Sequence, residues 1–185
     1  IITQARQQSG FYPTEKAIND VSPFEWSDGT EQYGILMLHG LMESPFLIRD
    51  IAQYFHQQHY LVRSLLLPGH GTAPGDLLSV SSQQWQKCCD FGVQSMANAQ
   101  QLKGFYLLAV STGANLSLLA TYRQQLPKLK GIILISPALR IRYYRPVYTK
   151  ISRFLSHFCA RAKWVEKCNE KDFARYYSLP FHAVD

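Results

Sequence analysis

The stretch Phe105-Tyr106-Leu107-Leu108-Ala109-Val110-Ser111-Thr112-Gly113-Ala114 decides the reading of this chain. Six apolar residues run without alternation, as in a strand buried on both faces, and then give way at once to small and polar residues. From Thr112 towards Gln125 the pattern becomes helical. A serine at such a strand-to-helix junction is forced onto a tight turn that lifts its hydroxyl above the sheet. Ala109 and Gly113 are small enough to let the flanking strand and helix approach each other. Alanine stands where the usual G-x-S-x-G pattern has its first glycine, a departure of one methyl group. The plain alternative is a serine that merely caps the helix, and the pentapeptide alone does not choose between the two.

Working outward, apolar runs of strand length alternate with longer helical patterns. An irregular arm is expected over the first twenty residues, then a strand at Phe24–Trp26 closed by Ser27-Asp28-Gly29. Ile35–Leu38 reads as a buried strand. A helix is expected from Ser44-Pro45 towards Gln58, with Phe46, Ile48, Ile51, Ala52 and Phe55 as its apolar stripe. Leu61–Leu67 is the next strand. Ser82 is the expected N-cap of a helix reaching about Gln101, with Trp85, Cys89, Val93, Met96 and Ala97 on one face. Gly131–Ile135 is the last strand, ended by Ser136-Pro137. Continuous apolar strands separated by helices argue for an α/β fold, a mostly parallel sheet with helices on both faces.

In such a sheet the chemistry belongs at the carboxyl ends of the strands. Three of those ends are unusual: His39-Gly40-Leu41, Pro68-Gly69-His70-Gly71 and Ser111-Thr112-Gly113. The three loops should converge. Ser111 is then the candidate nucleophile, and the amides of Leu41 and Thr112 are the candidate oxyanion donors, the second helped by the helix dipole. Gly40 is expected to adopt a backbone conformation denied to other residues and to leave room for a substrate. His39 is expected to brace its loop by hydrogen bonding, and His70 to sit in a rigid turn bordering the pocket. His56, His59, His157 and His182 have no metal-ligand spacing, and no metal or cofactor is called for.

Leu38-His39-Gly40-Leu41, Leu67-Pro68-Gly69-His70-Gly71-Thr72, the turn at Ser111 and Leu134-Ile135-Ser136-Pro137-Ala138 occur in order and in register. Together with Asp76-Leu77 and Trp85 they resemble the carboxylesterase, monoacylglycerol lipase and lysophospholipase branch of the α/β-hydrolases. The resemblance spans roughly residues 33 to 138. It implies an α/β-hydrolase fold, a nucleophile elbow at Ser111, and a Ser–Asp–His triad whose acid and histidine follow the serine beyond an inserted cap. On that reading residues 1–138 are the N-terminal part of the core and 139–185 the beginning of a helical cap or lid, within which the sequence stops. Asp172, His157, His182 and Asp185 lie in the cap stretch and are rejected as triad members. This piece alone is therefore expected to be inactive. The substrate expected is a small ester or lipid with an apolar acyl chain. A peptidase or amidase of the same fold is the enzymatic alternative, and a non-catalytic ligand-binding protein on a hydrolase scaffold the other.

Composition fits a folded globular domain: 185 residues, 46% hydrophobic and 17% charged. Cys88, Cys89, Cys159 and Cys168 show no CxxC spacing, so free buried thiols in a reducing, cytoplasmic setting are expected. The chain begins with Ile1, so a segment removed upstream is compatible with it. Lys and Arg cancel Asp and Glu over residues 1–138, nine against nine, whereas residues 139–185 hold ten against four. No nucleic-acid partner is expected. Arg140, Arg142, Arg145, Lys150, Arg153, Arg161, Lys163 and Lys167 interleave with Pro146, Val147, Ile151, Phe154, Leu155, Phe158, Ala162 and Val165. That stretch is expected to form the lid helix and to make, at most, weak contact with an anionic membrane surface.

Overall fold

Among the described residues five strands form one sheet in the order β1-β3-β2-β4-β5, and every pair but one is parallel. The strands are β1 (Phe24–Trp26), β2 (Tyr33–Leu38), β3 (Tyr60–Leu65), β4 (Gly104–Val110) and β5 (Leu129–Ile135). The computed structural model describes residues 19–72 and 74–139. Nearly all of the expected N-terminal arm and of the cap stretch, with Cys159, Cys168, His157, His182, Asp172, Asp185 and the basic residues from Arg140 on, lies outside the described residues.

β1 is the antiparallel member, pairing Phe24 with Ser64 and Trp26 with Val62. Arg63 of β3 ties this edge down, reaching Glu25 of β1 and Ser95 with its guanidinium. Among the described residues the principal helices are α1 (Arg49–Gln57), α2 (Ser82–Asn98) and α3 (Thr112–Arg123). One face of the sheet buries Leu36, Leu38, Phe105, Leu107 and Ala109 with Cys89, Val93 and Met96 of α2 and Ala114, Leu116 and Ala120 of α3. The other face buries Ile35, Met37, Val62 and Leu108 with Ile48 and Ala52 from the α1 region. Covering on both faces explains why β2 and β4 read as unbroken apolar runs: both sets of side chains leave water. Cys89 is buried and Cys88 half-buried, and both are free thiols.

Three expectations need correction. The helix expected from Ser44 is in fact a 3-10 turn, Pro45–Ile48, followed by α1. Ser44 caps that turn by accepting from the Phe46 amide at 3.4 Å, and Pro45 removes a donor at its start. The N-cap of α2 is Ser81 rather than Ser82. Ser81 and Gln84 form a reciprocal capping box, the Gln84 amide donating to Ser81 Oγ at 3.3 Å and the Ser81 amide to Gln84 Oε1 at 2.8 Å. Strand β3 ends at Leu65, so Leu66 and Leu67 already belong to the loop. A further 3-10 segment, Pro74–Ser79, was not foreseen.

Candidate active site

The sheet register brings the loops after β2, β3 and β4 to one edge. Leu38 lies beside both Leu65 and Ala109, so all three chains leave the sheet at the same level. The separation between the loops is small. A Cβ placed on Gly40 would lie 3.3 Å from Ser111 Cβ, and one on Gly113 would lie 2.6 Å from the His39 carbonyl oxygen and 2.9 Å from Leu38 Cβ. Gly113 thus lets the first turn of α3 press against the end of β2. Gly40 is not in the left-handed region expected for it. Space around it is tight: a Cβ there would also meet Glu43 Oε2 at 2.6 Å, the end of a side chain that can move aside.

Ser111 sits between β4 and α3 with φ +49° and ψ −111°. A side chain at positive φ with that ψ is in a sparsely populated region, and such residues persist only when their surroundings enforce them. Two anchors do so here. The Ser111 amide donates to the Ile135 carbonyl at the end of β5, 2.9 Å away, and the Ser111 carbonyl accepts from the Ala114 amide at 3.1 Å. By position Ser111 is the N-cap of α3, yet its side chain makes no capping hydrogen bond. The capping alternative therefore does not account for this serine. Thr112 is the first helical residue, one of the four whose amides find no acceptor within the helix.

His39 is fully buried. Its Nδ1 lies 2.8 Å from the Gly40 carbonyl, and its Nε2 lies 3.0 Å from the Leu67 amide nitrogen. An amide can only donate, so Nε2 accepts and Nδ1 carries the proton: the ring is the neutral Nδ1–H tautomer. Burial, with the neighbouring His70 ring as the second cause, pushes its pKa down from 6.5 to about 3, against the opposing pull of the Gly40 carbonyl. His70 packs edge-on against His39 with ring centroids 4.8 Å apart, and its other side faces Trp85. Its Nε2 bonds the Leu41 carbonyl, and its Nδ1 lies 3.2 Å from the Pro68 carbonyl. Trp85 Nε1 also donates to that Pro68 carbonyl, at 2.8 Å.

Sequence reasoning missed three of these partners. Trp85 reads from the sequence as a core-facing residue and as part of the family resemblance, not as a donor to the Pro68 carbonyl. Glu43 was not singled out, although its carboxylate accepts from the Gly40 amide at 3.0 Å. Nor was the tie from His70 to Leu41, residues 29 positions apart. No local pattern announces the ties of Trp85 and His70, which the fold brings together across 17 and 29 positions, whereas Glu43 lies only three residues beyond Gly40. Among the described residues no group of three or more His, Cys, Asp or Glu is placed to hold a metal ion, and no helix is long and apolar enough to cross a membrane.

The family model described as Hydrolase_4, serine aminopeptidase S33, matches residues 30–178. The chain belongs to that family of α/β-hydrolases. Its fold is shared with a solved structure reported for LipS and LipT, two metagenome-derived lipolytic enzymes, at a TM-score of 0.62 and 23% identity, covering 72% of this chain and 51% of that one. A soluble variant of monoglyceride lipase from Saccharomyces cerevisiae matches at a TM-score of 0.57 and 14% identity, over 81% and 52% of the two chains. The monoacylglycerol lipase of Paleococcus ferrophilus matches at 0.53 and 16%, over 75% and 51%. The chain spans about half the length of these structures.

Proposed function

We propose that this chain carries the nucleophile and oxyanion hole of a carboxylic ester hydrolase, with Ser111 as the attacking residue. The observation that supports it most is the strained backbone of Ser111, held at positive φ while its side chain does no capping. Strain of that kind is retained where the surrounding structure enforces it and function uses it. In the first half-reaction Ser111 Oγ adds to the ester carbonyl as its proton passes to a base, and the carbonyl oxygen becomes an oxyanion. The amides of Leu41 and Thr112 donate to that oxygen, and the N-terminal dipole of α3 adds favourable potential. The intermediate collapses, the alcohol leaves with a proton, and water then releases the acid from the acyl-serine.

None of the four described histidines serves as the base in this account. His39 and His70 have their ring nitrogens against backbone groups. His56 lies near the end of α1 and His59 just before β3, at the opposite edge of the sheet. The base and its orienting acid are assigned to residues outside those described. The lipolytic enzymes and monoacylglycerol lipases that share the fold favour an ester with an apolar acyl chain as the substrate. The family description, an aminopeptidase, makes an aminoacyl amide the competing substrate.

The test is turnover by the full-length protein of p-nitrophenyl esters of four to twelve carbons, beside aminoacyl p-nitroanilides, with Ser111→Ala measured in parallel. Ester turnover that falls by at least about a thousandfold in the variant supports the reading. Turnover of the anilides alone would assign the site to peptide chemistry. Ester turnover unchanged in Ser111→Ala would place the nucleophile elsewhere.

A further inference from the structure

We infer that His70 is a positioning residue for the oxyanion hole, acting through the Leu41 carbonyl as the second half of a two-histidine clamp on the loop after β2. The inference rests on the proposed role of Ser111 and Leu41.

The clamp holds two successive peptide planes. His39 Nδ1–H donates to the Gly40 carbonyl at 2.8 Å. In a trans peptide the C=O and the following N–H point in opposite directions, and the described chain has no cis bond. Fastening the Gly40 carbonyl therefore fixes the direction of the Leu41 N–H, the proposed oxyanion donor. The next plane begins at the Leu41 carbonyl, and that oxygen is bonded by His70 Nε2. Without a hold on it, rotation about the Leu41 φ and ψ angles relaxes the second plane and, through the chain, the first.

The tautomer follows from the acceptors. Both nitrogens of His70 face carbonyl oxygens, Leu41 at 2.5 Å and Pro68 at 3.2 Å. A neutral ring has a single N–H to give. The Leu41 oxygen is closer, and the Pro68 oxygen already receives the indole N–H of Trp85. The proton accordingly sits on Nε2, and the bond to Leu41 is the one His70 donates. The ring cannot swing away from it: His70 is only 6% exposed and wedged between the rings of His39 and Trp85. Both rings of the clamp are anchored in the β3 loop, His39 through the Leu67 amide and His70 by its own place in the chain. A loop that makes no proposed contact with the reacting atoms thus sets the geometry of one that does.

The experiment compares kcat and KM of the full-length protein for p-nitrophenyl butyrate in wild type, His70→Leu, His70→Gln and Ser111→Ala, each checked for a native melting transition. Leucine fills much of the ring's space without a donor, while the glutamine amide restores an N–H at similar reach. His70→Leu is expected to lose about 10- to 100-fold in kcat with KM within about threefold of wild type, the pattern of a lost transition-state interaction. His70→Gln is expected to recover to within about fivefold of wild type. A folded His70→Leu with wild-type kcat overturns the inference, as does a loss confined to KM. If His70→Leu does not fold, His70→Gln decides alone: retained kcat supports the clamp, and a collapse of kcat in a folded glutamine variant overturns it. Full turnover in Ser111→Ala would instead reject the site on which the inference rests.

Discussion

The amide of Leu67 donates to Nε2 of His39 across 3.0 Å, joining the residue that follows β2 to the loop that follows β3. These residues stand 28 positions apart, and the bond is wholly buried. A buried ring that accepts there cannot be protonated without losing the bond and placing a charge in the core.

Stability should therefore depend on pH through His39. The folded ring has a pKa of about 3 and the unfolded one 6.5, so between these values the unfolded chain binds the extra proton. Above pH 7.5 or so both states are neutral and the histidine contributes no slope. As pH falls through the window, stability is lost at up to about 1.4 kcal/mol per unit. Urea unfolding at pH 7, 6, 5 and 4 should show a shallower decline in His39→Asn than in wild type, with the carboxylates common to both cancelling. Parallel curves would show that His39 titrates normally.

Strain at Ser111 predicts an unusual stability order. Glycine accepts φ +49° with ψ −111° at no steric cost, whereas alanine keeps the Cβ that makes the conformation unfavourable. Glycine also loosens the unfolded chain, which offsets part of the gain. Ser111→Gly should nevertheless exceed Ser111→Ala by about 1 kcal/mol or more in denaturant unfolding. Equal midpoints would mean that the turn stores no strain.

Two glycine-to-alanine variants separate close approach from mere composition. Gly113→Ala drives a methyl against the His39 carbonyl and the end of β2, all within 2.9 Å and mostly backbone. It should cost about 1–3 kcal/mol, as overpacking does. Gly131→Ala meets only the Tyr106 ring at 3.4 Å, an ordinary contact, and should be within about 0.5 kcal/mol of wild type. Similar melting temperatures for the two would contradict the packing described between α3 and β2.

Strands β2 and β4 were legible in the sequence because burial on both faces leaves an unbroken apolar signature, and α2 and α3 because their buried residues repeat at helical spacing. The convergence of three loops followed from a parallel sheet. Antiparallel β1 was legible as a strand but not in direction, since three residues carry no orientation. The 3-10 turn after Ser44 shares its N-terminal chemistry with an α-helix, so cap and proline alone do not separate them. Ser81 and Ser82 are adjacent serines, and only the partner Gln84 three positions on from Ser81 distinguishes the cap. His39 was anticipated as a hydrogen-bonding residue, but its partner, the Leu67 amide, depends on register. Of the two reasons for a glycine at position 40, the special backbone conformation does not hold, and the close approach of Ser111 and Glu43 bears on the other, space.

Covalent capture tests the central claim most directly. The full-length protein, treated with a fluorophosphonate and digested, should show one adduct, on the peptide containing Ser111. The reagent needs an activated serine hydroxyl and a donor-lined hole for its phosphoryl oxygen, the two features assigned here to Ser111 and to the Leu41 and Thr112 amides. Ser111→Ala should take no label. Labelling that persists unchanged in that variant, or a native wild-type protein that takes no label at all, would contradict the account.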